Sequence, residues 1–131
     1  MSKPVILCVD DERIMLDCLR TQLFSSFGNT YLYEVAEDAD EALELIEELT
    51  LENLSIAVVI SDWLMPGMKG DELLISIHQK FPKIVKIMLT GQADEVAVNR
   101  AKKFANLHCC LCKPWSEAEL LETIESALCK L

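Results

Sequence analysis

Apolar positions along this chain follow two alternating rhythms. Val5-Ile6-Leu7-Cys8-Val9 is a continuous apolar run, as expected of a strand covered on both faces, and it stops at three acids, Asp10, Asp11 and Glu12. Leu16, Leu19 and Leu23 then recur at helical spacing until Gly28-Asn29 breaks the pattern. A second unit pairs a strand from Tyr31 to Ala36 with a helix that carries Ala42, Leu43, Ile46 and Leu49 on one side and Glu44, Glu47 and Glu48 on the other. Asp38 or Asp40 can cap that helix. Ile56-Ala57-Val58-Val59-Ile60 is the most apolar run and ends at Ser61-Asp62; Pro66, Gly67 and Gly70 mark a loop before a helix from about Asp71 to Lys80. A fourth strand, Ile84 to Leu89, ends at Thr90-Gly91 and leads to a less regular helix from about Asp94 to Phe104. Leu107 to Cys112 gives a fifth strand, and Ser116 with Glu119 reads as a capping box opening a last helix through Leu121, Ile124 and Leu128.

Five buried strands alternating with five amphipathic helices predict an α/β fold: a five-stranded parallel sheet with helices on both faces, doubly wound as (βα)5. No repeat, low-complexity tract or linker interrupts the pattern, so residues 1–131 are expected to form one domain. In open sheets of this kind ligands gather beyond the carboxyl ends of the strands. The residues just after each strand therefore carry the functional information.

Composition narrows the classes. Acidic residues outnumber basic ones by 22 to 12, a net charge of −10, so phosphate backbones and anionic membranes would repel the molecule and direct nucleic-acid binding is not expected. No apolar stretch approaches membrane-spanning length, and Met1-Ser2-Lys3-Pro4 leads straight into the first strand pattern, so a cytoplasmic location is expected. The six cysteines mostly sit in apolar periodic segments and are read as buried reduced thiols. Cys109, Cys110 and Cys112, with the adjacent His108, lack the second ligand pair that a zinc site needs.

The strand ends carry Asp10, Asp11 and Glu12, then Asp62, Thr90 and Lys113. Singly, the aspartates would be read as helix caps or a turn residue, the threonine as a cap and the lysine as a solvated side chain. Together they form a site. Clustered carboxylates cost stability unless a cation resides among them, and an all-oxygen set suits magnesium or manganese. A carboxylate is also a nucleophile toward phosphorus, provided that a metal and a nearby cation such as Lys113 neutralise the transferring oxygens. Trp63 and Trp115 are read as rim or core residues, His78 and His108 as surface or packing residues, and the Glu44, Glu47, Glu48 stripe as a solvated helix face.

Val9-Asp10-Asp11-Glu12, the segment Ser61-Asp62-Trp63-Leu64-Met65-Pro66-Gly67-Met68-Lys69-Gly70, Met88-Leu89-Thr90-Gly91 and Lys113-Pro114-Trp115 resemble, in order and spacing, the four signatures of response-regulator receiver domains. The likeness covers nearly the entire chain. It implies a flavodoxin-like fold, with Asp62 as phosphoacceptor and Asp10, Asp11 and Asp62 as metal ligands together with the backbone carbonyl of Leu64. It further implies that Thr90 senses the phosphoryl group and that Lys113 pairs with it. The donor implied is a sensor histidine kinase or a histidine phosphotransfer protein. The output is a change in the surface of helix four, strand five and helix five, read by a downstream domain or protein, or by a second copy in a homodimer.

Two departures qualify the resemblance. The family usually places Tyr or Phe three residues before the lysine, as a rotating ring; here Cys110 stands there, so a smaller packing change is expected to carry the signal. Leu64 and Gln92 occupy the positions that tune loss of the phosphoryl group; Leu64 cannot orient water and Gln92 can, which predicts hydrolysis of intermediate speed. Two other functions compete. A haloacid-dehalogenase-like phosphatase needs an Asp two residues after its nucleophile, where Leu64 stands. A receiver-like interaction module acting without phosphorylation would be favoured by loss of Asp62, Lys113 or the acidic pair, and all are present.

Overall fold

A computed structural model describes residues 3–91 and 95–130. It contains β1 (Val5–Val9), α1 (Arg13–Phe27), a short 3-10 turn (Gly28–Thr30), β2 (Leu32–Ala36), α2 (Ala39–Leu51) and β3 (Ile56–Asp62). These are followed by α3 (Gly70–Lys80), β4 (Val85–Thr90), α4 (Glu95–Phe104), β5 (Cys109–Cys112) and α5 (Glu117–Leu128). The strands form one sheet in the order β2-β1-β3-β4-β5, with every neighbouring pair parallel. The expected doubly wound (βα)5 architecture is thus observed.

Side-chain alternation along the strands builds two cores. Ile6 and Cys8 of β1 and Val58 and Ile60 of β3 meet Leu16, Leu19 and Leu23 of α1 and Leu120, Ile124 and Ala127 of α5. Leu7, Val9 and Val59 point the other way, onto Ala42 and Ile46 of α2, Leu73, Leu74 and Ile77 of α3, and Ala101 of α4. Because both faces are covered, β1 is buried at every position, which is why its sequence reads as an unbroken apolar run.

The helix ends follow from local chemistry. Gly28 ends α1 with φ 56°, a left-handed conformation open to glycine, and its N–H donates to the Phe24 carbonyl. Of the two candidate caps for α2, Asp38 serves: its Oδ1 accepts from the Glu41 N–H at 2.8 Å. The capping box at α5 is formed, with Ser116 Oγ accepting from the Glu119 N–H at 3.1 Å and Glu119 Oε1 accepting from the Ser116 N–H at 3.3 Å. Replacing Ser116 with Ala is expected to cost about 1 kcal/mol, read as a lower urea midpoint at unchanged slope.

Several boundaries differ from expectation. The second and fourth strands start one residue later, and the fifth begins at Cys109 rather than Leu107, because Asn106 takes φ 52° and the chain turns there before pairing with β4. Helix three begins at Gly70. The expected start of helix four at Asp94 lies outside the described residues. The buried-thiol expectation holds fully only for Cys8, whose thiol burial pushes up to about 12. Cys18, Cys112 and Cys129 are exposed, and Cys109 and Cys110 are half-buried. In α1 the buried stripe is taken by Leu16, Leu19 and Leu23, which leaves Cys18 on the outer face; β5 is an edge strand, so one side of it stays open.

Candidate functional site

The sheet order brings the acids of β1 and β3 together. β1 lies next to β3 with Val9 opposite Ser61, so Asp10 and Asp62 leave the sheet side by side where the strand order reverses. Thr90 closes β4 and pairs with Cys112, and Lys113 follows directly, its N–H donating to the Thr90 carbonyl at 2.8 Å. Asp10, Asp62 and Thr90 are all buried. Asp11, by contrast, is exposed at the mouth.

Lys113 ties the two buried carboxylates. Its Nζ donates to Asp10 Oδ2 at 2.9 Å and lies 3.1 Å from Asp62 Oδ1. Asp10 Oδ1 accepts the Glu12 N–H at 2.9 Å, so both of its oxygens are engaged. Asp10 therefore does not cap α1: the cap position is Glu12, which makes no side-chain cap bond. The Lys113–Pro114 peptide is cis.

Electrostatics at Asp62 are dominated by burial. Desolvation first, and then the negative charge of Asp10, push its carboxyl up to about 6; the charge and hydrogen bond of Lys113 act against this, and Asp11 adds to it. At Lys113, burial alone would lower the amine. The hydrogen bond and charge of Asp10, joined by those of Asp62, outweigh it, and the net shift is upward. The ammonium therefore stays charged across the physiological range.

Oxygen atoms of Asp10, Asp11 and Asp62 come within 4.8 Å of one another, and among the described residues this is the group spaced to hold a metal ion. Three hard carboxylates at an open mouth fit a magnesium-sized or manganese ion and not a soft one. The cysteines of β5 form no such group. A cleft of about 560 Å³ opens at the same place, lined by Asp11, Glu12, Asp62, Leu64, Gly91 and Lys113. Leu64, which also lines the cleft, is 62% exposed. Gln92 lies outside the described residues.

The loop after Asp62 is fixed from both sides. The Trp63 N–H donates to the Leu89 carbonyl at 2.8 Å, and the Gly70 N–H donates to the Trp63 carbonyl at 2.8 Å. Ser61 Oγ donates to the Asp62 carbonyl at 2.9 Å. Gly70 sits so close that a β-carbon there would run into the Asp62 carbonyl oxygen and lie 2.8 Å from Trp63 Cα. Trp63 and Trp115 are half-buried, as expected; Trp115 Nε1 donates to Gln22 of α1 at 2.8 Å, and Lys69 Nζ stands 5.3 Å from the Trp63 ring centre.

Two buried charged groups escape the sequence reading. Lys86, inside β4, is 1% exposed; its Nζ lies 2.8 Å from His78 Nδ1 and donates to the Pro82 carbonyl at 3.3 Å, and burial pulls its amine down to about 8. A lysine within an apolar strand is the available signal, since it must either snorkel or find partners. Asp71, in the first turn of α3, is 3% exposed and pairs with Arg100 of α4 at 2.7 Å. An acid at a helix start resembles an ordinary capping residue, and nothing in the sequence separates the two.

Comparison with known proteins agrees with this geometry. The family model described as the response regulator receiver domain matches residues 6–125. The chain is 31% identical over 125 residues to chemotaxis protein CheY1 of Helicobacter pylori, covering 94% of this chain and 95% of that protein. It is 30% identical over 127 residues to the hydrogenase transcriptional regulatory protein HoxA of Cupriavidus necator, covering 97% of this chain and 24% of that one. The chain thus spans about a quarter of HoxA and a third of the similar regulator YesN of Bacillus subtilis. Among solved structures, the signal receiver domain of an HD domain-containing protein from Pseudomonas fluorescens superposes with a TM-score of 0.85 at 34% identity, over 97% of this chain and 95% of that one. With the family model spanning most of the chain and the acids gathered at the strand-order reversal, this chain belongs to the response regulator receiver domain family of two-component signalling.

Proposed function

We propose that this chain is a phosphorylation switch in which Asp62 accepts a phosphoryl group from a sensor histidine kinase or a histidine phosphotransfer protein. The observation that supports this most directly is the contact of Lys113 with both Asp10 and Asp62, at 2.9 and 3.1 Å, in a pocket with acids enough for a divalent ion. Asp62 presents one oxygen to Lys113 and keeps the other for attack on phosphorus. A P–O bond to Asp62 forms as the donor's P–N bond breaks, and the imidazole leaves with the electron pair. Magnesium or manganese, when held by Asp10, Asp11, Asp62 and the Leu64 carbonyl, would neutralise the transferring oxygens. Lys113 pairs with one of those oxygens, and the Thr90 hydroxyl donates to another as the group arrives. Asp62 ionised is the attacking form, and its carboxyl, pushed up to about 6, reaches that form at neutral pH.

The chain acts as a signalling domain and promotes its own phosphorylation and dephosphorylation, with hydrolysis of intermediate speed. Its site is in the cytoplasm; no helix among the described residues is long and apolar enough to cross a membrane. Residues 1–131 are one receiver domain, whose α4, β5 and α5 surface passes the signal to an output domain or protein, or to a second copy. Intact mass after incubation with magnesium and acetyl phosphate tests the switch. The natural chain should gain about 80 Da and Asp62→Asn nothing. Equal labelling of both would move the acceptor elsewhere, and labelling of neither, with magnesium shown to bind, would remove the autophosphorylating switch.

A further inference from the structure

The segment that folds over Asp62 is joined to α4 by one ion pair, buried on its Asp71 side and half-exposed at Arg100. Asp71 Oδ2 lies 2.7 Å from an Arg100 terminal nitrogen, and the Asp71 side chain is 4% exposed. Among the described residues, no other ion pair links α4 to another element. Helix α4 meets the core through smaller side chains than α3: it buries Ala97 and Ala101 and packs the half-buried Val98, where α3 buries Leu73, Leu74 and Ile77. A helix whose core contacts are alanines and a half-buried valine is more easily re-aimed than one anchored by buried leucines.

The other end of the pair is rigidly connected to the acceptor. Gly70 precedes Asp71, is hydrogen-bonded to the Trp63 carbonyl, and packs against the Asp62–Trp63 backbone with no room for a methyl group. Any displacement of the Asp62 backbone therefore meets Gly70 as a hard contact and moves the start of α3. The bridge itself has two ways to be made. Only Oδ2 is engaged; Oδ1 is buried without a hydrogen-bond partner among the described residues. A small turn of either helix would convert this one-point contact into the two-point fork that guanidinium and carboxylate favour, and would satisfy Oδ1.

We propose that the Asp71–Arg100 bridge carries the state of Asp62 to α4, passing between one-point and forked forms as the loop at Gly70 shifts. This inference rests on the phosphorylation reading above and adds its route. β5 contributes only the short Cys110 on the side facing this core, so the bridge is the longer-armed connection to α4.

The test is hydrogen–deuterium exchange of the α4 peptide, with and without magnesium and acetyl phosphate, with labelling followed by intact mass. The variants are Asp71→Asn/Arg100→Gln, which strands no buried charge, and Arg100→Lys, which keeps the charge but not the fork. The natural chain should change α4 exchange on labelling. The double variant should lose at least half of that change at full labelling, with Arg100→Lys in between. A structural role alone would raise α4 exchange in both states and leave their difference intact. An intact difference at full labelling overturns the proposal, as does a labelled natural chain whose α4 does not respond. If the natural chain takes no phosphoryl group, the phosphorylation reading fails and this inference falls with it.

Discussion

Replacing Gly70 with Ala should destabilise the protein by about 3 kcal/mol or more, and should slow phosphoryl transfer further in whatever fraction stays folded. The β-carbon added there would occupy space held by the Asp62 carbonyl oxygen and by Trp63 Cα at 2.8 Å. Both obstacles are backbone, so no side-chain rotation relieves them. The segment also cannot swing outward freely, because the Trp63 N–H is bonded to Leu89 of β4 and its carbonyl to the Gly70 N–H. Either the sheet gives at β3 or α3 unwinds at its start. Glycine is needed here for closeness and not for a left-handed backbone, since Gly70 is not among the residues with positive φ. Gly67 offers the contrast: nothing lies within 4 Å of a β-carbon built there, and its φ of 77° is the constraint. Gly67→Asn, which tolerates that φ, should therefore cost less than about 1 kcal/mol. Urea unfolding of both variants decides this; equal losses would show that the crowding at Gly70 is not what the site depends on.

The fold is legible because its two cores impose two periods on the chain. A strand buried on both faces must be apolar throughout, as in β1, and helices such as α1 must repeat leucines every three or four residues. The candidate site is legible for a related reason: capping or turn formation would account for one polar residue after a buried strand, but not for acids, a threonine and a lysine at the ends of four of them. What escapes are groups whose partners lie in other elements. Asp71 and Arg100 are 29 positions apart and look like ordinary surface residues, and only packing of α3 on α4 buries the acid. Lys86 passes as part of an apolar strand because its partners, His78 and Pro82, belong to the preceding helix and turn. Segment type alone misjudges the thiols: Cys18 lies within an amphipathic helix but outside its buried stripe. Start points of β2, β4 and β5 shift because pairing, which a single strand does not encode, sets where a strand begins.

Asp62→Asn should make the metal-free protein more stable at neutral pH while abolishing its labelling. In the folded chain the Asp62 carboxyl is raised from 3.8 to about 6, chiefly by burial and then by Asp10, so between these values the native state holds a proton that the unfolded chain has released. Stability from this group is therefore complete below about pH 4, falls as pH rises through the window, and is lost above about pH 6. A shift of roughly two units corresponds to at most about 3 kcal/mol, and solvent at the open mouth screens part of it. Asparagine cannot ionise and escapes the loss, while Lys113 keeps its bond to Asp10 at 2.9 Å. The variant should match the natural chain at pH 4 and exceed it by about 2 kcal/mol at pH 7.5 in metal-free urea unfolding. Millimolar magnesium should narrow the gap at pH 7.5, because an ion held by ionised acids stabilises the chain that has all three of them. A gap that did not change with pH would mean that the introduced amide acts by packing and not by removing a charge. A natural chain more stable than the variant at pH 7.5 without metal would mean that the Lys113–Asp62 contact at 3.1 Å outweighs the burial of the carboxylate. The expected result instead makes the ionised Asp62 carboxylate a destabilising group in the metal-free protein, one that protonation, an amide or a bound cation would relieve.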